Sequence, residues 1–310
     1  MNSNDREGIL EICSDHGWVE LVTDVKQAYI SSLTKRSPSL PKSLEETIQK
    51  RWEEKIANAS AKGLRPPHNG TLARFLGYHL YERETESHTT DWPEVFMKGA
   101  NVGLDLGVMD YMHYDGVRAD THPRLWSAST TGALVFRDKK GDLYFALAVR
   151  DKSMAHVGGI LVLPPGGYLD PSTFPEDISD ITGSTLSSHV ILNDIKREFE
   201  EELGIPKEKI KRIQPLGLVL IGDYHNSVQG KTQRFNDTCL THVIEADTSE
   251  EELDEGFGKS TKFGGEHSEH FIVHENDLLR FLEERKRLLT PVLKVNLRHI
   301  LLYSRGIIEQ

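Results

Sequence analysis

The chain has 310 residues, with 37 Lys+Arg against 48 Asp+Glu and a formal charge of −11. Hydrophobic residues at 37%, with 25 glycines beside them, reach the ordinary apolar share of a globular protein and exclude intrinsic disorder and collagen-like repeats. The acidic balance and the absence of a basic run exclude a reader of nucleic-acid backbones and point to a small partner. A single core stops growing near ~250 to 300 residues, so one large lobe with a smaller one attached is expected. Cys13 and Cys239 have no CxxC or CxxH spacing around them, which excludes a zinc knuckle and a disulfide framework and fits a reducing cytoplasm. No basic segment followed by an apolar one opens the chain, and apolar runs such as 216–221 are too short to span a bilayer, so no membrane partner is expected.

In chain order, residues 1–125 read as irregular, punctuated by prolines, with one helix over 43–60. Ser43 and Glu46 have the spacing of a capping box at its start, and Ile48, Trp52 and Ile56 recur every fourth residue, so one face should pack. From Ser127 the texture changes. Residues 132–137 and 143–150 read as two strands of a hairpin around a turn at 138–142. A further strand, 160–163, runs into Pro164-Pro165-Gly166-Gly167, read as a glycine turn, and 171–188 reads as a polar loop. Next comes a helix whose Ile191, Ile195, Phe199 and Leu203 lie on one stripe and which Gly204 should stop. Strands at 215–222, 239–244 and 270–273 follow, and helices near 276–287 and 291–305. The acidic segment 247–255 reads as a solvated loop or short helix. The order is α+β: an N-terminal domain over 1–125 and a second domain over 126–310.

The chemistry lies in the run 197–205, R-E-F-E-E-E-L-G-I. On a helix at about 100° per residue, Glu201 stands about 60° to one side of Glu198 and Glu202 about 40° to the other, so three carboxylates share one arc. Arg197, at i+4 from Glu201, cannot balance them all; a hard divalent cation can. The plain alternative is an exposed acidic helix face. The Gly166-Gly167 pair upstream could bring a bare carbonyl close to such a cation, because glycine has no side chain in the way.

This run resembles the second half of the Nudix hydrolase box, G-x5-E-x7-R-E-U-x-E-E-x-G-U with U a bulky apolar residue, at every fixed position. The first half departs. Counting back puts the box glycine at Gly183 and its glutamate at His189, whereas taking Gly167 as the box glycine leaves 29 residues before Arg197 instead of 13, an insertion of 16. Gly167 is preferred because it ends a strand. Nudix proteins similar to the eukaryotic UDP-glucose/UDP-galactose pyrophosphatases also carry a Gly-Gly-x-x-acid-Pro turn before a long spacer, here 166–171. Trp52-Glu53-Glu54-Lys55, Asn69-Gly70 and Arg150 resemble further marks of that subfamily.

The resemblance implies a Nudix α/β/α sandwich with a mixed β-sheet over 126–310 and a smaller N-terminal α+β domain packed on it. It implies Mg²⁺-dependent cleavage of a nucleoside-diphosphate sugar to nucleoside monophosphate and sugar 1-phosphate, with Mn²⁺ as a substitute. Glu198, Glu201, Glu202 and the Gly166 carbonyl match the metal ligands, Arg197 orients a glutamate, and Glu200 points outward. Glu266 and Glu269 are candidates for a further ligand or base, and Arg150, Lys231 and Arg234 for contacts to substrate phosphates. A zinc site at His267, His270 and His274 is disfavoured, since strand alternation puts His267 on the face opposite the other two. ADP-ribose or a dinucleoside polyphosphate is the rival substrate, and a nucleotide sensor without cleavage the rival class.

Overall fold

The computed structural model describes residues 18–23, 25–34, 37–63, 66, 68–81, 96–97, 101–118, 125–151, 159–174, 184–226, 233–262, 267–289, 293, 296–297 and 300. The strands are β1 (Trp18–Thr23), β2 (Gln27–Thr34), β3 (Thr71–Tyr81), β4 (Phe96–Met97), β5 (Asn101–Asp110), β6 (Trp126–Arg137), β7 (Leu143–Arg150), β8 (Leu161–Val162), β9 (Gly166–Tyr168), β10 (Ile210–Asn226), β11 (Gln233–Ala246) and β12 (His267–His274). The helices are α1 (Lys42–Ala61), α2 (Tyr111–Arg118), α3 (Ser184–Leu203), α4 (Glu250–Lys262) and α5 (Leu278–Glu284).

All the strands belong to one mixed sheet organised around β6. Along one edge β6 pairs in parallel with β11; along the other it meets β3, then β9, then β7, all antiparallel. Its alternation sorts side chains to two cores. Ala128, Leu134 and Phe136 join Ile191, Ile195, Phe199 and Leu203 of α3 and Leu253 and Phe257 of α4 on one face. Ala133 and Val135 join Leu278 and Leu282 of α5 and Leu293, Leu297 and Ile300 on the other. Helices thus cover both faces of the sheet, the layering expected from the sequence.

The 132–137/143–150 hairpin forms as expected, with Val135 opposite Phe145 and Asp138 Oδ1 accepting from the Lys140 and Asp142 amides. The segment expected to be irregular is not: it supplies β1 to β5 and α2, and β2, β5 and β3 extend the sheet beyond β6. Val25, Ile30, Val102 and Leu104 enter the same core as the α3 stripe. The sheet therefore crosses from residues 1–125 into 126–310 without a break.

Helix α1 buries Leu44, Ile48 and Trp52, with Ile56 half-buried, but the capping box does not form. Pro41 is the N-cap and Ser43 lies inside the first turn, its carbonyl accepting from Thr47 Oγ1 at 2.8 Å. Trp52 stands edge-on to Tyr111 at 6.0 Å, Lys55 pairs with Asp115 at 2.9 Å, and Asn69 Oδ1 accepts from the Met112 amide. The mark at 52–55 therefore builds the contact between α1 and α2, and 69–70 ties the start of α2 to the residues leading into β3. Of the expected terminal helices, 275–288 forms α5 flanked by two 3-10 turns, and the described residues 293, 296, 297 and 300 are helical. Among the described residues no helix is long and apolar enough to cross a membrane.

Candidate active site on helix α3

Helix α3 begins at Ser184, earlier than expected, so His189 lies exposed within it rather than at its entrance. Gly204 ends it at φ +63°, its amide bonded to the Glu200 carbonyl. The buried stripe presses into the sheet and leaves the acidic arc over β9.

The glycine pair is placed differently from the expected turn. The chain bends at Pro164-Pro165, and Gly166 and Gly167 lie in β9, opposite Thr131 and Thr130 of β6, with no positive φ. Their lack of a side chain serves close approach instead. A Cβ on Gly167 would stand 2.8 Å from Glu198 Oε1, and the Gly166 amide points at Glu202 Oε2 at 3.3 Å.

Arg197 gathers the arc. Its Nη1 donates to Glu201 at 2.9 Å, and its Nη2 donates to Glu198 at 2.7 Å and to Asp194 at 2.8 Å. Arg197, expected to orient a glutamate, thus contacts two of them, Glu198 and Glu201. Asp194, which motif reading missed, is fully buried beneath the guanidinium, and its Oδ2 has no hydrogen-bond partner among the described residues. Its signal in the sequence was a carboxylate at i−3 from Arg197, one turn inside the apolar stripe.

Burial pushes the Glu198 carboxyl up to about 7 against the pull of the Arg197 charge, with Asp194 and Glu201 adding to the rise. Burial also raises Asp194, although Arg197 draws it back. For Arg197, burial opposes the charge, but the hydrogen bond to Asp194 and the neighbouring carboxylates outweigh it, and the guanidinium holds its proton more tightly than usual.

Glu202 leaves this cluster. It is 8% exposed and faces the Gly166 amide and His267, whose Nε2 stands 3.9 Å away. Among the described residues no three His, Cys, Asp or Glu side chains are grouped so as to hold a metal ion as they stand. Glu200 turns outward to Lys207 at 3.3 Å, as expected.

The histidines depart from simple alternation. A register shift between His267 and Glu269 against β7 lets both His267 and His270 reach Phe257, the first edge-on at 6.0 Å and the second stacked at 4.5 Å. His274 contacts Tyr144 on that same side. The face assigned to His267 by period 2 is thus corrected by one bulged residue.

Arg150 lies opposite His267 in register, at the end of β7 nearest Glu202. Glu269 is exposed on β12, and no hydrogen bond or ion pair joins it to α3 among the described residues. Arg234 lies in β11, paired with His225 of β10. Gly183, Lys231 and Glu266 lie outside the described residues.

No family model and no curated protein matches the chain. Among solved structures it is similar to a binary complex of an Ap4A hydrolase from C. elegans (13% identity, 58% of this chain and 98% of that one, TM-score 0.31). It is also similar to the Nudix domain of NrtR from Shewanella oneidensis in complex with ADP-ribose (13%, 55% and 93%, TM-score 0.32). A third is a Nudix hydrolase from Alicyclobacillus acidocaldarius (11%, 62% and 94%, TM-score 0.33).

Proposed function

We propose that the chain is a divalent-metal-dependent pyrophosphohydrolase of the Nudix type, cleaving a nucleoside-diphosphate sugar, UDP-glucose or UDP-galactose, to nucleoside monophosphate and sugar 1-phosphate. One observation supports it above the others: two carboxylates of α3, Glu198 and Glu202, are folded against the glycine pair of β9, with Glu198 desolvated and held by Arg197. An ordinary exposed acidic face would leave each carboxylate to water.

The donors fit Mg²⁺, or Mn²⁺ in its place, because they are hard oxygens carrying several charges beside a glycine cradle that a Cβ would fill. Glu198, Glu201 and Glu202 with the Gly166 carbonyl are the proposed ligands; a cation held there would neutralise pyrophosphate charge and lower the pKa of a water. Arg197 holds Glu198 and Glu201 through separate nitrogens, and buried Asp194 anchors the guanidinium. Arg150, Lys231 and Arg234 are proposed to meet substrate phosphates, and Glu266 or Glu269 to take a proton or add a ligand. ADP-ribose and dinucleoside polyphosphates would use the same machinery.

A second reading, a module that binds a nucleotide without cutting it, draws on Arg197 occupying Glu198 and Glu201 together while Glu202 faces Gly166. A panel of nucleotide sugars, ADP-ribose and dinucleoside polyphosphates, with Mg²⁺ and with chelator, separates these. Chelator-sensitive release of sugar 1-phosphate from UDP-hexoses is the expected result. Preference for ADP-ribose or a dinucleoside polyphosphate would replace the substrate, and binding of nucleotide with no turnover would replace the class.

A further inference from the structure

Strand β12 ends the sheet on one side: among the described residues it pairs only with β7 and bridges to nothing beyond. In an antiparallel pair every second residue directs its N–H and C=O away from its neighbour, so β12 presents a row of donors and acceptors outward. Bulges and twists often blunt such edges. Here the one register shift lies at the start, between His267 and Glu269, and pairing with β7 runs regularly from His270 to His274.

A groove of about 460 Å³ follows this regular stretch, between α4 on one side and α5 with the turn before it on the other. Its floor is half-buried and apolar at Phe271 and Ile272. Its walls carry Glu250 and Asp254 from the α4 side and Asp277 and Glu284 from the α5 side, against the guanidinium of Arg280. Asp254 is engaged by His270 and Asp277 by Arg280, at 2.6 and 2.7 Å, and Glu284 pairs more loosely with Arg285 at 3.6 Å; Glu250 and Glu284 stand exposed on opposite walls.

We propose that β12 accepts an extended basic segment of a partner protein, added as a strand between α4 and α5. Main-chain pairing along 270–274 supplies the affinity, the apolar floor takes alternate side chains, and the acidic walls select Lys or Arg between them. A second copy of this chain is disfavoured as occupant, since it would bring an identical acidic groove on a molecule of net charge −11. The inference does not depend on the α3 chemistry.

The test is selection of a displayed library of random octapeptides on the full chain, followed by fluorescence anisotropy with the selected peptides and amide exchange on the complex. Lys/Arg-rich peptides with β-branched residues are expected, protecting the outward amides of 270–274. Affinity should fall about fivefold or more in the Glu250→Gln/Glu284→Gln double variant, and be lost when alternate peptide nitrogens are methylated. Selection of acidic or neutral peptides, equal binding of the N-methylated peptide, protection elsewhere on the chain, slow exchange of those amides before peptide is added, or concentration-dependent dimerisation through this edge would each overturn it.

Discussion

Two desolvated titratable groups, one half-buried and one fully buried, pull the stability of this protein in opposite directions over the same pH range. Glu198 holds its proton up to about 7 in the fold against an ordinary 4.5, so the stability it contributes is fully present below 4.5 and lost as pH rises through 7. His242, buried on β11 beside Thr130, is pushed down to about 4 from 6.5, chiefly by burial, so its contribution is present above 6.5 and lost as pH falls through 4. The two slopes offset in the parent. In chelator, urea unfolding of Glu198→Gln should show stability rising between pH 4 and 6.5, and His242→Gln should show it falling between 4.5 and 7, each by on the order of 2 to 3 kcal/mol. Parallel profiles for parent and variants would remove both assignments. Asp194 gives a separate prediction. Asp194→Asn keeps the volume but takes the buried charge from Arg197, and should cost about 2 kcal/mol in the same measurement. An unchanged midpoint would mean that Glu198 and Glu201 suffice to hold the guanidinium.

Among the elements, the placement of α3 depends on a close crossing with α4. A Cβ on Gly256 would stand 2.1 Å from the Leu203 carbonyl oxygen, and one on Gly204 2.7 Å from the Gly256 carbonyl oxygen. Both obstacles are backbone, which cannot rotate aside. Gly256→Ala should therefore destabilise by about 1 to 3 kcal/mol. Gly258→Ala, in the same helix with nothing within 4 Å of the added atom, should be neutral or stabilise by about 0.5 to 1 kcal/mol. Calorimetry on the two variants checks the pair, and equal shifts would show that helix propensity rather than the crossing decides. The glycines of β9 teach a related lesson. A Pro-Pro-Gly-Gly string signals a turn through local chemistry, but here the glycines keep extended backbone: Gly167 leaves room for the Glu198 carboxylate, and Gly166 packs closely on Thr131 of β6 while its amide meets Glu202.

At the scale of the molecule, the proposed division at residue 125 has to accommodate a shared core. Val25, Ile30, Val102 and Leu104 from the first part pack with Ile191, Ile195 and Phe199 from the second. Residues 1–125 should consequently unfold together with 126–310 in one calorimetric transition, its calorimetric and van't Hoff enthalpies equal. Two resolved transitions would instead establish two independently stable units. The same arrangement bears on the site, because β2 and its neighbours form part of the floor on which α3 rests.

How much of this was legible before folding follows from the range of each interaction. The α3 stripe, its glycine stop, the shared arc of Glu198 and Glu201 and the tie from Arg197 are all local, since a helix fixes the relative direction of its own side chains by its period. The hairpin at 138–142 and the packed face of α1 were legible for the same reason. The N-terminal strands were not: β3 and β5 interleave Gly, His and Asp with their apolar residues, and what makes them strands is pairing with segments far along the chain. Nor could one period show that Glu202 would leave its neighbours for Gly166 and His267, or that a bulge in β12 would bring His267 to Phe257. The sequence determined which residues carry charge and which helix presents them. Only tertiary structure decided what each carboxylate faces, because that depends on strand register, and a shift of one residue turns a side chain to the other side of the sheet.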